Sequence, residues 1–275
     1  MIVHAARGAL EQLKHIRCFA LDMDGTIYLG TTWIQGAVSF LETLKATNRR
    51  ALFVTNNSSK SVQAYVDKLR RMDWPVGAED VLSSGQATIA YLKRTYPNAA
   101  VYLLGNQALR QEFHAAGIRL ALEEVAESGH ADVAVAAFDT TLDYHRMTVM
   151  CDLVRSGKPY IATHPDLNCP TETGFIPDCG AIMAFIDAST GRKPDVIIGK
   201  PHGEIVRALL ERTHLQPHEI AMAGDRLYTD VATGEQHGLL SILVLSGETK
   251  QSDIAASTVQ PRITVERLEA LIPYL

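Results

Sequence analysis

Cys18-Phe19-Ala20-Leu21-Asp22-Met23-Asp24-Gly25-Thr26 reads as a short, wholly apolar strand that opens into two carboxylates and a glycine. A strand without polar alternation is one buried on both faces, which points to a parallel α/β sheet rather than a half-solvated antiparallel one. The carboxylates lie two apart where the chain leaves the sheet, so both can project into one crevice, and Gly25 permits the unusual backbone that this requires. One can then attack while the other handles protons. The same stretch also fits ordinary turn chemistry, in which Asp and Gly only redirect the chain.

On either side of this stretch, the segments 17–21, 50–54, 196–198, 220–223 and 241–245 read as five strands of one core sheet. Each is short, apolar and followed by Gly, Asp, Asn or Thr. Helical patterns fall between them, as at 37–47, with Val38, Leu41 and Leu44 on one face, and at 60–71, with Val62, Tyr65, Val66 and Leu69. The middle of the chain repeats the scheme, with strands at 101–104, 133–137 and 160–162 and helices near 107–116 and 144–156. The expected organisation is therefore a core of residues 1–83 and 187–275 with a second α/β unit, residues 84–186, inserted into it. Ligands of open α/β sheets bind beyond the carboxyl ends of the strands, where an inserted domain can close over them.

Three more strand ends carry candidate chemistry. Thr55-Asn56-Asn57-Ser58-Ser59 follows the strand at 50–54 and opens a helix. Its hydroxyls, amides and free backbone N–H groups suit an anion, and Ser58 or Ser59 equally suits a plain N-cap. Lys200, in Gly199-Lys200-Pro201, follows an apolar strand, and lysines at such places are also commonly just solvated. Gly224-Asp225-Arg226-Leu227-Tyr228-Thr229-Asp230 brings two more carboxylates to a strand end, the hard oxygen ligands that Mg²⁺ requires. Asp230 also fits a helix N-terminal acid favoured by the dipole.

Composition bounds the remaining possibilities. The chain has 275 residues and 47% apolar content, enough for one large or two medium domains with a substantial core. Its four cysteines form no C-x-x-C pair, so reduced thiols in a cytoplasmic setting are expected. The first 18 residues are interrupted by His4, Arg7, Glu11 and Lys14, unlike a signal peptide, and no apolar run approaches membrane-spanning length. A net charge of -5 argues against a broad nucleic-acid footprint and leaves room for a local basic pocket.

Taken together, Asp22-x-Asp24-Gly25-Thr26, Thr55, Lys200 and Gly224-Asp225-x-x-x-Thr229-Asp230 resemble, in order and placement, the four motifs of the haloacid dehalogenase superfamily. The resemblance covers the core from about residue 17 to residue 245. Only 28 residues separate Thr26 from Thr55, whereas 144 lie between Thr55 and Lys200, so a cap fits only in the second gap. That arrangement is similar to the NagD-like, 4-nitrophenylphosphatase-type subfamily with a type-II α/β cap on a Rossmann-like core. Ala162-Thr163-His164-Pro165-Asp166 and Thr190-Gly191-Arg192-Lys193-Pro194 look like further stretches of that subfamily.

The resemblance implies a Mg²⁺-dependent phosphatase. In it Asp22 is the nucleophile and Asp24 the acid and base. Asp22, Asp225 and the backbone of Asp24 hold the metal, Thr55 and Lys200 bind phosphate oxygens, and Asp230 acts from behind them. Asn56, Asn57 and His164 are candidate substrate contacts. His164 departs from the Asn common in the subfamily, and a surface histidine is the alternative. Pyridoxal-phosphate phosphatases of this type place a substrate-contacting His near the position of Cys169, which argues against that substrate. The expected substrate is a small phosphorylated metabolite, and relatives with this cap often pair through it as homodimers. A catalytically weak or regulatory phosphate-binding protein and a phosphotransferase or mutase are the competing readings. Receiver modules lack the second Asp, and dehalogenases do not need Asp24.

Overall fold

Five consecutive fully buried residues at Ile220–Gly224 and at Leu240–Val244, and four at Cys18–Leu21, form the centre of a seven-stranded sheet. In the computed structural model, which describes residues 1–171 and 173–275, its order is Ile2–Ala5, Ile263–Val265, Leu240–Val244, Ile220–Gly224, Cys18–Leu21, Arg50–Thr55 and Val81–Ser83. The pairings from Ile263–Val265 across to Arg50–Thr55 are parallel, and Ile2–Ala5 closes one edge antiparallel. The helix Ala37–Ala46 covers this sheet with Phe40, Leu41 and Leu44, and Phe40 meets Phe19 edge to face at 5.4 Å. Each such aromatic or aliphatic burial contributes about 1.5–3 kcal/mol.

A second sheet of five parallel strands runs in the order Val196–Ile197, Tyr160–Ala162, Val133–Ala136, Ala100–Leu104 and Arg119–Leu120. Tyr102, Leu104, Met150, Val154, Tyr160 and Ile186 fill its core. The helices Ser84–Thr95, Gln107–Ala115, Tyr144–Arg155 and Cys179–Thr190 are capped by Ser83, Asn106, Asp143 and Asp178 side chains respectively.

The chain divides into two units: residues 1–55, 63–82 and 200–275, and residues 56–62 and 83–199. The second unit runs on to residue 199 rather than 186 and takes in a short piece after Thr55. The strand expected at 196–198 in the core sheet pairs instead with Tyr160–Ala162 in the second sheet. A two-residue apolar run carries no mark of which parallel sheet it joins. The core sheet also gains Ile2–Ala5, Val81–Ser83 and Ile263–Val265, strands of three or four residues too short to stand out by periodicity. Among the described residues, no helix is long and apolar enough to cross a membrane.

Candidate active site

The parallel strands Ile220–Gly224, Cys18–Leu21 and Arg50–Thr55 are neighbours in the first sheet. Their carboxyl ends therefore bring Asp225, Asp22 and Thr55 to one edge, roughly 4.8 Å per strand step. Asp22 N donates to Ala223 O at 2.8 Å, extending the ladder one residue past the strand and fixing where the Asp22 side chain begins. Gly25 then turns at φ +86°, and a Cβ there would strike the Asp225 carboxylate, so glycine answers both a left-handed backbone and a close approach.

Lys200 enters this edge from the first residue of the returning core segment. Its ammonium donates to Asp22 Oδ1 at 2.6 Å, to Asp230 Oδ1 at 2.6 Å and to the Val54 carbonyl at 3.3 Å. At 2% exposure it is not a solvated surface lysine. Burial alone would favour its neutral form, but the Asp22 and Asp230 carboxylates outweigh that and raise its pKa above the ordinary lysine value. Asp230 sits in the wide helical turn Leu227–Val231, an i to i+5 irregularity of a kind frequent at functional sites. Its Oδ2 accepts from Arg226 N at 3.2 Å while Oδ1 holds Lys200, so it caps the turn and positions the lysine together.

Asp22, Asp225 and Asp230 place carboxylate oxygens within 4.8 Å of one another. Burial pushes the Asp22 carboxyl well above the usual aspartate range; Lys200 opposes the rise, and Asp230 and Asp225 add to it. Asp225 is pushed up to about 6, by burial first and by Asp230 second. Three carboxylates face one ammonium, an excess negative charge that is costly in a buried place. Asp225 Oδ1 is buried with no hydrogen-bond partner among the described residues. An orphaned hard oxygen beside a second carboxylate, in a cluster with surplus negative charge, fits a divalent cation.

Asp24 is the exposed member, its side chain 59% accessible, with Oδ1 3.8 Å from Lys68 Nζ. Thr55 is buried at the end of its strand, next to the carbonyl that Lys200 touches. Two contributors escaped the sequence reading. The loop after Leu240–Val244 holds the site from below: Glu248 N donates to Asp225 Oδ2 at 2.7 Å and Ser246 Oγ to Gly25 O at 2.8 Å. Ser246-Gly247 after a buried strand carried the same signal as the other strand ends. Lys68, from the helix Val62–Arg71, is the other; nothing in its spacing marks it out.

Asn56, Asn57 and His164 belong to the second unit. Asn56 Nδ2 donates to Asp166 Oδ1 at 3.0 Å, and Asn57 Oδ1 accepts from Ser59 N and Oγ at 2.9 and 2.8 Å. The helix expected from residue 60 begins at Val62, which puts Ser61, rather than Ser58 or Ser59, at the position before it. Ser58 Oγ instead accepts from Phe138 N at 3.0 Å and lies 3.1 Å from Thr163 Oγ1. His164 is fully buried rather than a surface residue, with Nε2 3.4 Å from Asp178 Oδ1 and Nδ1 3.8 Å from Asp166 Oδ2. Each ring nitrogen thus faces a carboxylate, that of the half-buried Asp166 on one side and of the buried Asp178 on the other.

Comparison with known proteins identifies the family and the fold. The haloacid dehalogenase-like hydrolase family matches residues 19–119, and a HAD-hydrolase-like family matches residues 197–271. An acid sugar phosphatase from Staphylococcus epidermidis is 34% identical over 96% of this chain and 99% of its own length. The crystal structure of a 4-nitrophenylphosphatase from Thermotoga maritima superposes with a TM-score of 0.90 at 44% identity, over 95% of this chain and 98% of that one. A glycerol phosphate phosphatase from Mycobacterium tuberculosis, in complex with calcium, superposes with a TM-score of 0.85 at 28% identity, over 94% of this chain and 76% of that one. Phosphatases of this kind generally use a divalent metal, in keeping with the carboxylate cluster. With its four motifs gathered in the first unit and its sequence matched over nearly its whole length, the chain belongs to the haloacid dehalogenase-like hydrolases, and within them to the NagD-like, 4-nitrophenylphosphatase-type phosphatases.

Proposed function

We propose that the chain is a Mg²⁺-dependent phosphomonoester hydrolase that acts on a small phosphorylated metabolite through a phosphorylated Asp22. The observation that carries this reading is the Lys200 ammonium shared at 2.6 Å between Asp22 and Asp230, with Asp225 in the same cluster. An attacking carboxylate, a fixed cation and metal-competent oxygens on one small volume suit phosphoryl transfer, which depends on positioning and charge neutralisation.

Asp22 attacks phosphorus with a carboxylate oxygen, and the bond from phosphorus to the leaving oxygen breaks. Asp24 gives that oxygen a proton. It then takes a proton from the water that attacks the same phosphorus, and the bond to Asp22 breaks to release inorganic phosphate. Asp22, Asp225 and the Asp24 carbonyl would hold Mg²⁺, which neutralises phosphate charge when bound. Lys200 and Thr55 bind the remaining phosphate oxygens, and Asp230 keeps Lys200 in place. The relatives named for sugar phosphate and glycerol phosphate favour a sugar or polyol phosphate as the substrate.

Phosphate release measured across phosphorylated sugars, polyols and nucleotides, with Mg²⁺ and with a chelator, tests the proposal. Turnover should require the cation and vanish in Asp22→Asn, which keeps the shape and removes the nucleophile. Folded Asp22→Asn protein that retains more than about a tenth of the wild-type rate would remove Asp22 from the nucleophile role.

A further inference from the structure

Lys68 is placed unlike its neighbours on the helix Val62–Arg71. Its side chain is 18% exposed, and Nζ lies 3.4 Å from the centroid of the Tyr28 ring and 3.8 Å from Asp24 Oδ1. Tyr28 is fully buried and rigidly tied to Asp24 through the backbone, since the two form a bridge and Gly25 N donates to Tyr28 O at 2.9 Å. Asp24, Tyr28 and Lys68 thus close a triangle: backbone to backbone, ring to ammonium, ammonium to carboxylate.

Packing does not require that ammonium. The Tyr28–Trp33 hairpin is already fastened to the end of the same helix by Trp33 Nε1 donating to Met72 O at 2.9 Å and by the edge-to-face pair of Trp33 with Trp74 at 6.3 Å. A ring face stabilises a cation within about 6 Å and fixes where it sits. At 3.8 Å the ion pair lies beyond hydrogen-bond length, so the ammonium draws the carboxylate towards itself by charge rather than by a hydrogen bond to Oδ1.

We propose that Lys68, held on the Tyr28 ring, is a positioning residue that aims the Asp24 carboxylate at the leaving oxygen. This rests on Asp24 serving as the proton donor in the function proposed above. The consequence is selective: losing Lys68 harms esters whose leaving group needs a proton more than those whose leaving group departs as a stable anion.

The test compares phenyl phosphate with 4-nitrophenyl phosphate in wild type, Lys68→Met, Lys68→Arg and Asp24→Asn, with thermal melting as the fold control. Met keeps the apolar stem and drops the charge. Lys68→Met should lower kcat/KM, which reads the step that expels the leaving group, about tenfold more on phenyl phosphate than on 4-nitrophenyl phosphate, and Lys68→Arg, which can also stack on the ring and pair with the carboxylate, should restore most of the difference. Equal losses on both esters in folded Lys68→Met, or none, while Asp24→Asn shows the selective loss, would overturn the role of Lys68 and leave that of Asp24 standing. If Asp24→Asn itself shows no selectivity, the proton-donor reading fails and the inference falls with it.

Discussion

Asp225 concentrates the electrostatics of the site in one side chain: one oxygen is held by Glu248 N, the other is buried without a partner among the described residues, and its pKa is raised to about 6. Because the folded value lies above the unfolded one, the folded state keeps a proton that the unfolded chain has released. The contribution of this group to cation-free stability therefore falls as pH rises from the ordinary aspartate value of 3.8 to about 6 and stays constant above it. A divalent cation needs the ionised form, so its binding runs the opposite way. The rise in melting temperature on adding Mg²⁺ should be small near pH 5, grow through about 6 and level off above it. In Asp225→Asn that growth should be absent, and a cation-induced shift equally large on both sides of pH 6 in the wild type would contradict the assignment. The five residues Asp22, Asp24, Lys200, Asp225 and Asp230 were legible through the order and placement of four motifs at strand ends, since Lys200 taken alone reads as a solvated lysine. Lys68 was not, because on a helix it looks like any solvated lysine until the chain folds a tyrosine ring beneath it. His164 was visible as a departure, but not its burial between Asp166 and Asp178, which depends on two segments that spacing does not join.

The elements that build the site are mostly loops leaving parallel strands. The loop after Leu240–Val244 is the least obvious of them, and Gly247 in it is packed so closely that a Cβ would overlap the Asp225 carboxylate. Gly247→Ala should leave the sheet folded, displace Asp225 and cost about a hundredfold in kcat, the scale of a displacement of about an ångström in a catalytic group. Steady-state rates alongside a circular dichroism melt check this, and unchanged activity would mean the loop is not a support. The central strands were readable since fully apolar runs of four or five residues followed by Asp or Thr fit poorly anywhere but in a sheet covered on both faces. Allocation between sheets was not, as Val196–Ile197 shows: its residues fit either sheet, and only the pairing with Tyr160–Ala162 decides.

Across the whole chain, the backbone passes between its two units after residues 55, 62, 82 and 199, so the first unit is assembled from three separate segments. Asp22, Asp24 and Thr55 come from the first of these, Lys68 from the second, and Lys200, Asp225 and Asp230 from the third. The long gap between Thr55 and Lys200 revealed that a second unit exists. Its edges were less legible because the connecting residues Asn56–Val62 and the strand before Lys200 carry compositions suited to either unit. In the proposed reaction the Asp22 carboxylate is the group that holds the phosphoryl group in transit. Acid quench during turnover, borohydride reduction and peptide mapping read this directly, since a phosphorylated aspartate is reduced to homoserine. Conversion is predicted at residue 22 alone, only with both substrate and Mg²⁺ present. Sustained turnover with residue 22 unmodified, or with the mark on another carboxylate, would contradict it.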